Sequence, residues 1–310
     1  MIRATAAIAG PMVAAGLLLL ATLFAAAAEP ARPAYRSAGD IIAAAPADHW
    51  RRPDPDNLLY LQLASGVVVI ELAPRFAPEH VANIRTLARE HFWDGTSIYR
   101  VQDNFVAQFG DADADDEARA KPLGTAKRKL PAEFHRPAAD LPFDRLPDPD
   151  GWAPEAGFVE GFPAARDPRA GTAWLAHCYG AVGAGRSNEE DSSIGAELYV
   201  VIGQAPRQLD DNITVVGKVL MGMELLSALP RGPGAMGFHE SAGGRTPIRA
   251  IRLASEVPEE VRPRIEVLRT DTATFRDATE ARRNRVDEFY QRPAGHVDLC
   301  NVPVPVRTAP

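Results

Sequence analysis

The chain has 310 residues, 46% hydrophobic and 24% charged, which excludes wholesale disorder and supplies enough apolar material for one large domain or two small ones. Its 34 Lys and Arg against 41 Asp and Glu give a formal net charge of -7, so it lacks the basic field that attracts phosphate backbones, and no nucleic-acid partner is expected. The 24 glycines and 27 prolines follow no fixed period, which sets aside collagen, solenoid and propeller architectures.

The chain opens "MIRATAAIAGPMVAAGLLLLATLFAAAAEPARP": one positive charge at Arg3, an apolar run, then Ala26, Ala27 and Ala28. This layout predicts a secretory signal peptide over residues 1–28, cut after Ala28. A retained anchor is the alternative, because the run approaches the ~20 residues that span a bilayer. The small-residue end favours cleavage, after which no stable membrane insertion is expected. No cysteine follows the run, which argues against a lipid anchor. In a Gram-negative source the mature chain would be periplasmic. An oxidising compartment would permit Cys178 and Cys300 to pair, although sequence alone leaves their separation open.

Residues 29–56 mix proline with small and charged residues and read as a flexible leader. From Leu58 to Pro74, "LLYLQLASGVVVIELAP" gives two Leu- and Val-rich runs broken at Ser65 and Gly66, a β-hairpin. Val81, Ile84, Leu87 and Ala88 then recur at helical spacing behind Pro78, which suits a first helical turn. "SIYRVQDNFVAQFGD" (Ser97 to Asp111) alternates apolar and polar residues on each side of a turn signal at 102–104. Arg100 and Phe105 are an odd number of residues apart, so Arg100, Phe105 and Gln108 converge only if that turn resets the register.

Residues 112–170 run acidic, then basic, then proline-rich, and read as a long ordered loop with little regular structure, a length that is often functional. Strand patterns resume at "TAWLAHCYG", "AELYVVIGQ", "NITVVGKVL" and "TPIRAIRLA", with a short helix at "GMELLSALP". The extension 255–310 carries a helical stripe of Phe275, Ala278, Arg282, Val286 and Phe289, expected to dock on the barrel. Many short strands, two helices and no strand–helix alternation predict a mainly β fold, a closed antiparallel barrel over residues 57–254.

Two chemical motifs fail on inspection. His177 and Cys178 are adjacent, and in a strand adjacent side chains point to opposite faces, so they cannot form a nucleophilic dyad. "DADADDEARAKP" has Asp116 where a calcium loop needs glycine and Pro122 where it needs glutamate.

The order hairpin, helix, "FWDGTSIYRVQDNFVAQFGD", "GAELYVVIG" and "LDDNITVVGKVLMGMELL" resembles the cyclophilin peptidyl-prolyl cis-trans isomerases over roughly Leu58 to Leu253. That resemblance implies an eight-stranded antiparallel barrel capped by two helices, with the substrate groove on its outer wall. It implies an enzyme that isomerises X-Pro bonds in proline-containing polypeptides without metal or cofactor; the predicted signal peptide adds that these are exported proteins whose folding it assists, and a monomer is expected. The catalytic positions fall on Arg100, Phe105 and Gln108. The substrate-binding positions fall on Val106, Tyr199, Leu209 and Ile213, with substrate-pairing backbone near His177 and Cys178. The sequence departs from the family at Tyr99, Phe109, Gln208 and Ile213. These changes favour the rival reading, a barrel that binds proline segments or acts as a chaperone without turning them over. A buried, covered Arg100 would support that rival.

Overall fold

The first hairpin forms as its sequence directs. β1 (Leu58–Leu63) and β2 (Gly66–Leu72) pair antiparallel from Leu63 opposite Gly66 out to Leu58 opposite Glu71. Alternation sorts the faces: Leu59, Leu61, Val68 and Ile70 enter the main core, while Tyr60 and Val69 turn outward into a cluster with Ile265. The computed structural model describes residues 35–309, so the signal peptide and the start of the leader lie outside the described residues. The chain from Arg36 onward is one compact unit.

The remaining strands of the main sheet are β3 (Ser97–Val101) and β4 (Val106–Gly110), then, after the insertion strands β5 (Glu155–Val159), β6 (Phe162–Asp167) and β7 (Thr172–Leu175), β8 (Ala181–Ala184), β9 (Leu198–Val201), β10 (Val215–Met221) and β11 (Ala250–Leu253). Its order is Thr246–Pro247, β3, β4, β9, β8, β10, β2, β1, β11, all antiparallel. This is a nine-stranded sheet rather than eight. The extra strand arises because the last segment kinks: Thr246–Pro247 pairs with β3, and β11 pairs with β1 at the opposite end of the order. Between them Ile248 N–H donates to Thr96 O and Arg249 N–H to Gln62 O, so the sheet curls until its two ends share one segment.

Helix α1 (Ala38–Ala43) opens the described chain, and α2 (Pro78–Arg89) buries Val81, Ile84, Leu87 and Ala88 in the barrel core. The short α3 (Met223–Ser227) adds Leu226. No side chain of the N-cap residue caps α2. Glu133 from the insertion does so instead, accepting the N–H groups of Glu79 and His80 at 3.0 Å each and the His80 ring at 2.7 Å. A carboxylate suits the positive end of a helix. Partial burial opposes the Glu133 charge, yet these hydrogen bonds hold its carboxyl below the usual range.

Three expectations need correction. The insertion, expected as an ordered loop with little regular structure, is largely a sheet: β5 and β6, with ladder residues Arg136–Pro137 and Asp144–Arg145 and the following β7, make a second, five-stranded sheet. Its β5–β6 hairpin turns on Glu160 and Gly161, both at positive φ (50° and 88°), the geometry of a tight two-residue turn. "TAWL" belongs to this sheet, so the barrel resumes only at Ala181. The leader is ordered from residue 38: α1 is closed by a Ser37–Asp40 capping box, and Trp50–Arg51 pairs with β12 (Ile265–Leu268), itself paired with β13 (Val306–Thr308). Arg51 binds Glu71 of β2 with two hydrogen bonds, at 2.6 and 3.0 Å.

The tail helix is α4 (Ala273–Arg283), and it stops before Val286 and Phe289, which are exposed. Asp287 accepts the N–H groups of Phe289 and Tyr290, a local turn that competes with helix. Phe275 docks against Phe158 of the insertion, ring centroids 5.1 Å apart, rather than on the barrel. Cys178 and Cys300 form a disulfide with Cα atoms 5.0 Å apart, tying the extension to the segment after β7.

Candidate active site

On the outer face of the barrel, Arg100, Gln108, Tyr199 and Gly183 stand opposite one another in a row across β3, β4, β9 and β8. Directly opposed residues of an antiparallel sheet share a face. The register of β3 on β4 shifts between Ile98 and Arg100, and such a bulge re-aims side chains. It lets the neighbours Tyr99 and Arg100 both reach Gln108, which an unbroken strand would forbid. The turn after Val101 has Asn104 at φ 52° and Phe105 N–H donating to Gln102 O. It returns Phe105 to Arg100, with the guanidinium carbon 5.7 Å from the ring centroid.

Arg100 is half-buried and held from three directions. Its Nε donates to Met236 O at 2.9 Å, Nη1 to Gln108 Oε1 at 2.9 Å and Nη2 to Gln102 Oε1 at 2.6 Å. A guanidinium has five N–H groups, so among the described residues one on each Nη has no hydrogen-bond partner and is left for a ligand. Desolvation lowers its pKa, but a guanidinium stays charged at any physiological pH. These contacts go to residues 102–108 and 236–238 and not to residues 112–170, so the insertion does not cap the arginine.

Behind Arg100 lies Glu197, which sequence reasoning passed over. Gln108 Nε2 donates to Tyr99 Oη at 3.0 Å and to Glu197 Oε2 at 3.2 Å, and the Tyr99 hydroxyl donates to Glu197 Oε1. With its NH2 thus committed, Gln108 must present its carbonyl oxygen to Arg100. Burial pushes the Glu197 carboxyl up to about 7. No local pattern marks it: Glu197 lies in the bend just before β9 and meets Tyr99 and Gln108 from 98 and 89 residues away.

The apolar side is one cluster containing Val106, Tyr199, Val201 and Val215 with the partly buried Phe105 and Ile213. The insertion contributes Phe162 and Ala164 to it, and β7, which follows, Ala173 and Leu175. Leu209, on the turn Arg207–Leu209, is half-exposed and stands outside this cluster. Tyr199 lies flat over Gly183, where an added Cβ would fall 2.2 Å from the ring. Its hydroxyl meets His177 Nε2 at 2.9 Å, and His177 Nδ1 meets Asp210 at 3.0 Å. Asp210 also takes Arg207 Nε at 2.5 Å, and Arg207 reaches Asp150 of the insertion at 3.0 Å. Burial works against the Asp210 charge, but His177 and Arg207 hold its carboxyl below the usual range. Burial also pushes the Tyr199 hydroxyl up, keeping it neutral.

The expectation for His177 and Cys178 is not met. His177 N–H donates to Asp210 at 2.8 Å and Cys178 N–H to Ala176 O at 2.8 Å, so these amides are already satisfied internally. The backbone beside Gln108 is that of Gly185, where a Cβ would stand 3.6 Å from Gln108 Nε2. His177 instead buttresses Tyr199 through its side chain.

A family model described as cyclophilin type peptidyl-prolyl cis-trans isomerase/CLD matches residues 58–253. Over 209 residues the chain is 29% identical to a probable peptidyl-prolyl cis-trans isomerase of Brucella suis, a match covering 66% of this chain and 84% of that protein. A shorter match, 36% identical over 70 residues, covers 23% of this chain and 40% of human peptidyl-prolyl cis-trans isomerase-like 1. Among solved structures, that of cyclophilin AquaCyp293 from Hirschia baltica aligns with a TM-score of 0.66 at 25% identity, covering 88% of this chain and 98% of that one. The structural likeness therefore reaches past residues 58–253.

Proposed function

Because the chain belongs to the cyclophilin-type peptidyl-prolyl cis-trans isomerases, we propose that Arg100, Phe105 and Gln108 form its catalytic centre and that its substrates are exported polypeptides limited by slow proline steps. The isomerase catalyses rotation about the X-Pro bond, whose barrier of about 18 to 20 kcal/mol comes from delocalisation of the nitrogen lone pair into the carbonyl. When the bond twists, that lone pair localises on nitrogen and becomes a hydrogen-bond acceptor. An N–H of Arg100 donates to it, a contact stronger in the twisted state than in either planar one, which is the condition for catalysis. Phe105 holds the pyrrolidine ring by apolar contact, with Ile213 beside it and Val106 and Tyr199 as the wall behind. Gln108, fixed by Glu197 and Tyr99, keeps the guanidinium in place.

The observation that carries this reading is the guanidinium held at three N–H groups beside the Phe105 ring, with two N–H groups uncommitted. Export and a folding role are supported by the N-terminal sequence and by the disulfide, a bond that persists in oxidising compartments. Two measurements test these roles. The protein should accelerate, in proportion to its concentration, the slow refolding phase of a domain limited by proline isomerisation. The chain recovered from the cell envelope should begin at Glu29. An unaccelerated slow phase would count against the folding role, and an intact Met1 in the cytoplasmic fraction against export.

A further inference from the structure

We propose that Met236 and Phe238 form an apolar subsite across Arg100 from Phe105, which takes an apolar side chain on the residue adjacent to the substrate proline. The inference rests on the assignment of Arg100 and Phe105 as the proline-binding pair. Phe238 lies on the other flank of that arginine, its ring centroid 5.3 Å from the guanidinium carbon against 5.7 Å for Phe105. It stacks on Tyr99 with centroids 6.1 Å apart and planes 20° apart, yet remains 37% exposed. Met236 beside it is 62% exposed.

The segment is built into this position. Arg100 and Phe238 form a β-bridge, His239 N–H donates to Tyr99 O at 2.8 Å, and Gly232 N–H donates to Val101 O at 3.0 Å. Met236 adopts φ 55°, a conformation costly for a side chain of its size, and its carbonyl accepts from Arg100 Nε at 2.9 Å. Gly237 follows at φ 81°, where a Cβ would lie 2.5 Å from the Gln102 Cα. Only glycine lets the segment close on β3 so tightly.

Two large apolar side chains therefore stand in solvent beside the arginine that holds the prolyl nitrogen. Consecutive residues of a bound peptide are about 3.8 Å apart, so a proline ring on Phe105 brings its neighbour within reach of Phe238 and Met236. An apolar neighbour would cover them, whereas a charged one would be desolvated without a partner.

The test is kcat/KM on X-Pro peptides carrying Leu, Ser or Asp on either side of the proline, for the parent, Met236→Asn and Phe238→Ser. Asparagine tolerates the left-handed backbone, so Met236→Asn removes the apolar side chain and keeps the turn. The parent should favour Leu, and each variant should lose roughly tenfold more on the Leu peptides than on the Asp peptides. Phe238→Leu should restore most of the preference. Equal losses on all peptides, or no loss, would overturn the subsite. A parent inactive on every peptide would overturn the isomerase reading, and the subsite with it.

Discussion

Gln108 faces Arg100 across β3 and β4, its carbonyl oxygen accepting from the guanidinium at 2.9 Å while its amide nitrogen is held by Glu197 and Tyr99. The amide is thereby locked in one orientation. Gln108→Leu, similar in volume, removes both ends of this link. A hydrogen bond to a charged group contributes about 1.5–3 kcal/mol, so kcat/KM should fall roughly 10- to 100-fold with far-ultraviolet circular dichroism unchanged. Steady-state kinetics checks this, and an unaltered rate would remove Gln108 from the positioning chain.

Glu197 makes stability depend on pH in a definite direction. Its folded pKa of about 7 lies above the ordinary 4.5, so between these values the folded state binds more proton than the unfolded chain. The advantage is fully present below 4.5 and is lost as pH rises through about 7. Relative to Glu197→Gln, the parent should lose up to about 3 kcal/mol over that range. Urea unfolding of both proteins from pH 4.5 to 8 measures it, and parallel profiles would refute it.

Arg207 is buried between Asp150 and Asp210, and all three side chains are at most 6% exposed. Replacing it with Met strands two buried carboxylates, at a cost of about 3–5 kcal/mol. Arg207→Met should unfold at markedly lower denaturant, and Arg207→Met with Asp150→Asn should recover part of the loss. Because His177 links Asp210 to Tyr199, the single variant should also broaden the NMR signals of the Tyr199 ring.

The Cys178–Cys300 bond joins residues 122 apart in sequence. Removing a native disulfide typically costs about 2–5 kcal/mol. Dithiothreitol should therefore lower the urea midpoint of the parent, while leaving a Cys178→Ala, Cys300→Ala protein unaffected. Equal midpoints for oxidised and reduced parent would contradict a structural role.

The main hairpin, α2 and the strands around Arg100 were legible because their apolar period matched one buried face. The sequence makes the meeting of Arg100 with Gln108 conditional on the turn at 102–104, and that turn does set Val101 opposite Ala107 and Arg100 opposite Gln108; the bulge beyond Arg100, which brings Tyr99 to the same glutamine, leaves no mark on the period. The second sheet is hard to read from sequence because prolines and charges obscure β5 and β6, although Glu160–Gly161 between two apolar runs is a hairpin signal. Its stability comes from long-range partners, such as Phe158 on Phe275, that no local window contains. Glu197 and the buttress from Asp150 to Tyr199 were likewise invisible, since they join residues up to about a hundred positions apart.

The central claim is that Arg100 stabilises the twisted X-Pro bond. Cis–trans exchange of a short Xaa-Pro peptide, followed by NMR exchange spectroscopy with the parent, Arg100→Ala and Arg100→Lys, tests it most directly. The parent should bring exchange from tens of seconds into the range of lineshape effects. Arg100→Ala should lose about 10²- to 10³-fold of that acceleration, the usual cost of one transition-state donor, and lysine should rescue little because it cannot reproduce the planar fork. Exchange equally fast with folded Arg100→Ala would contradict the account.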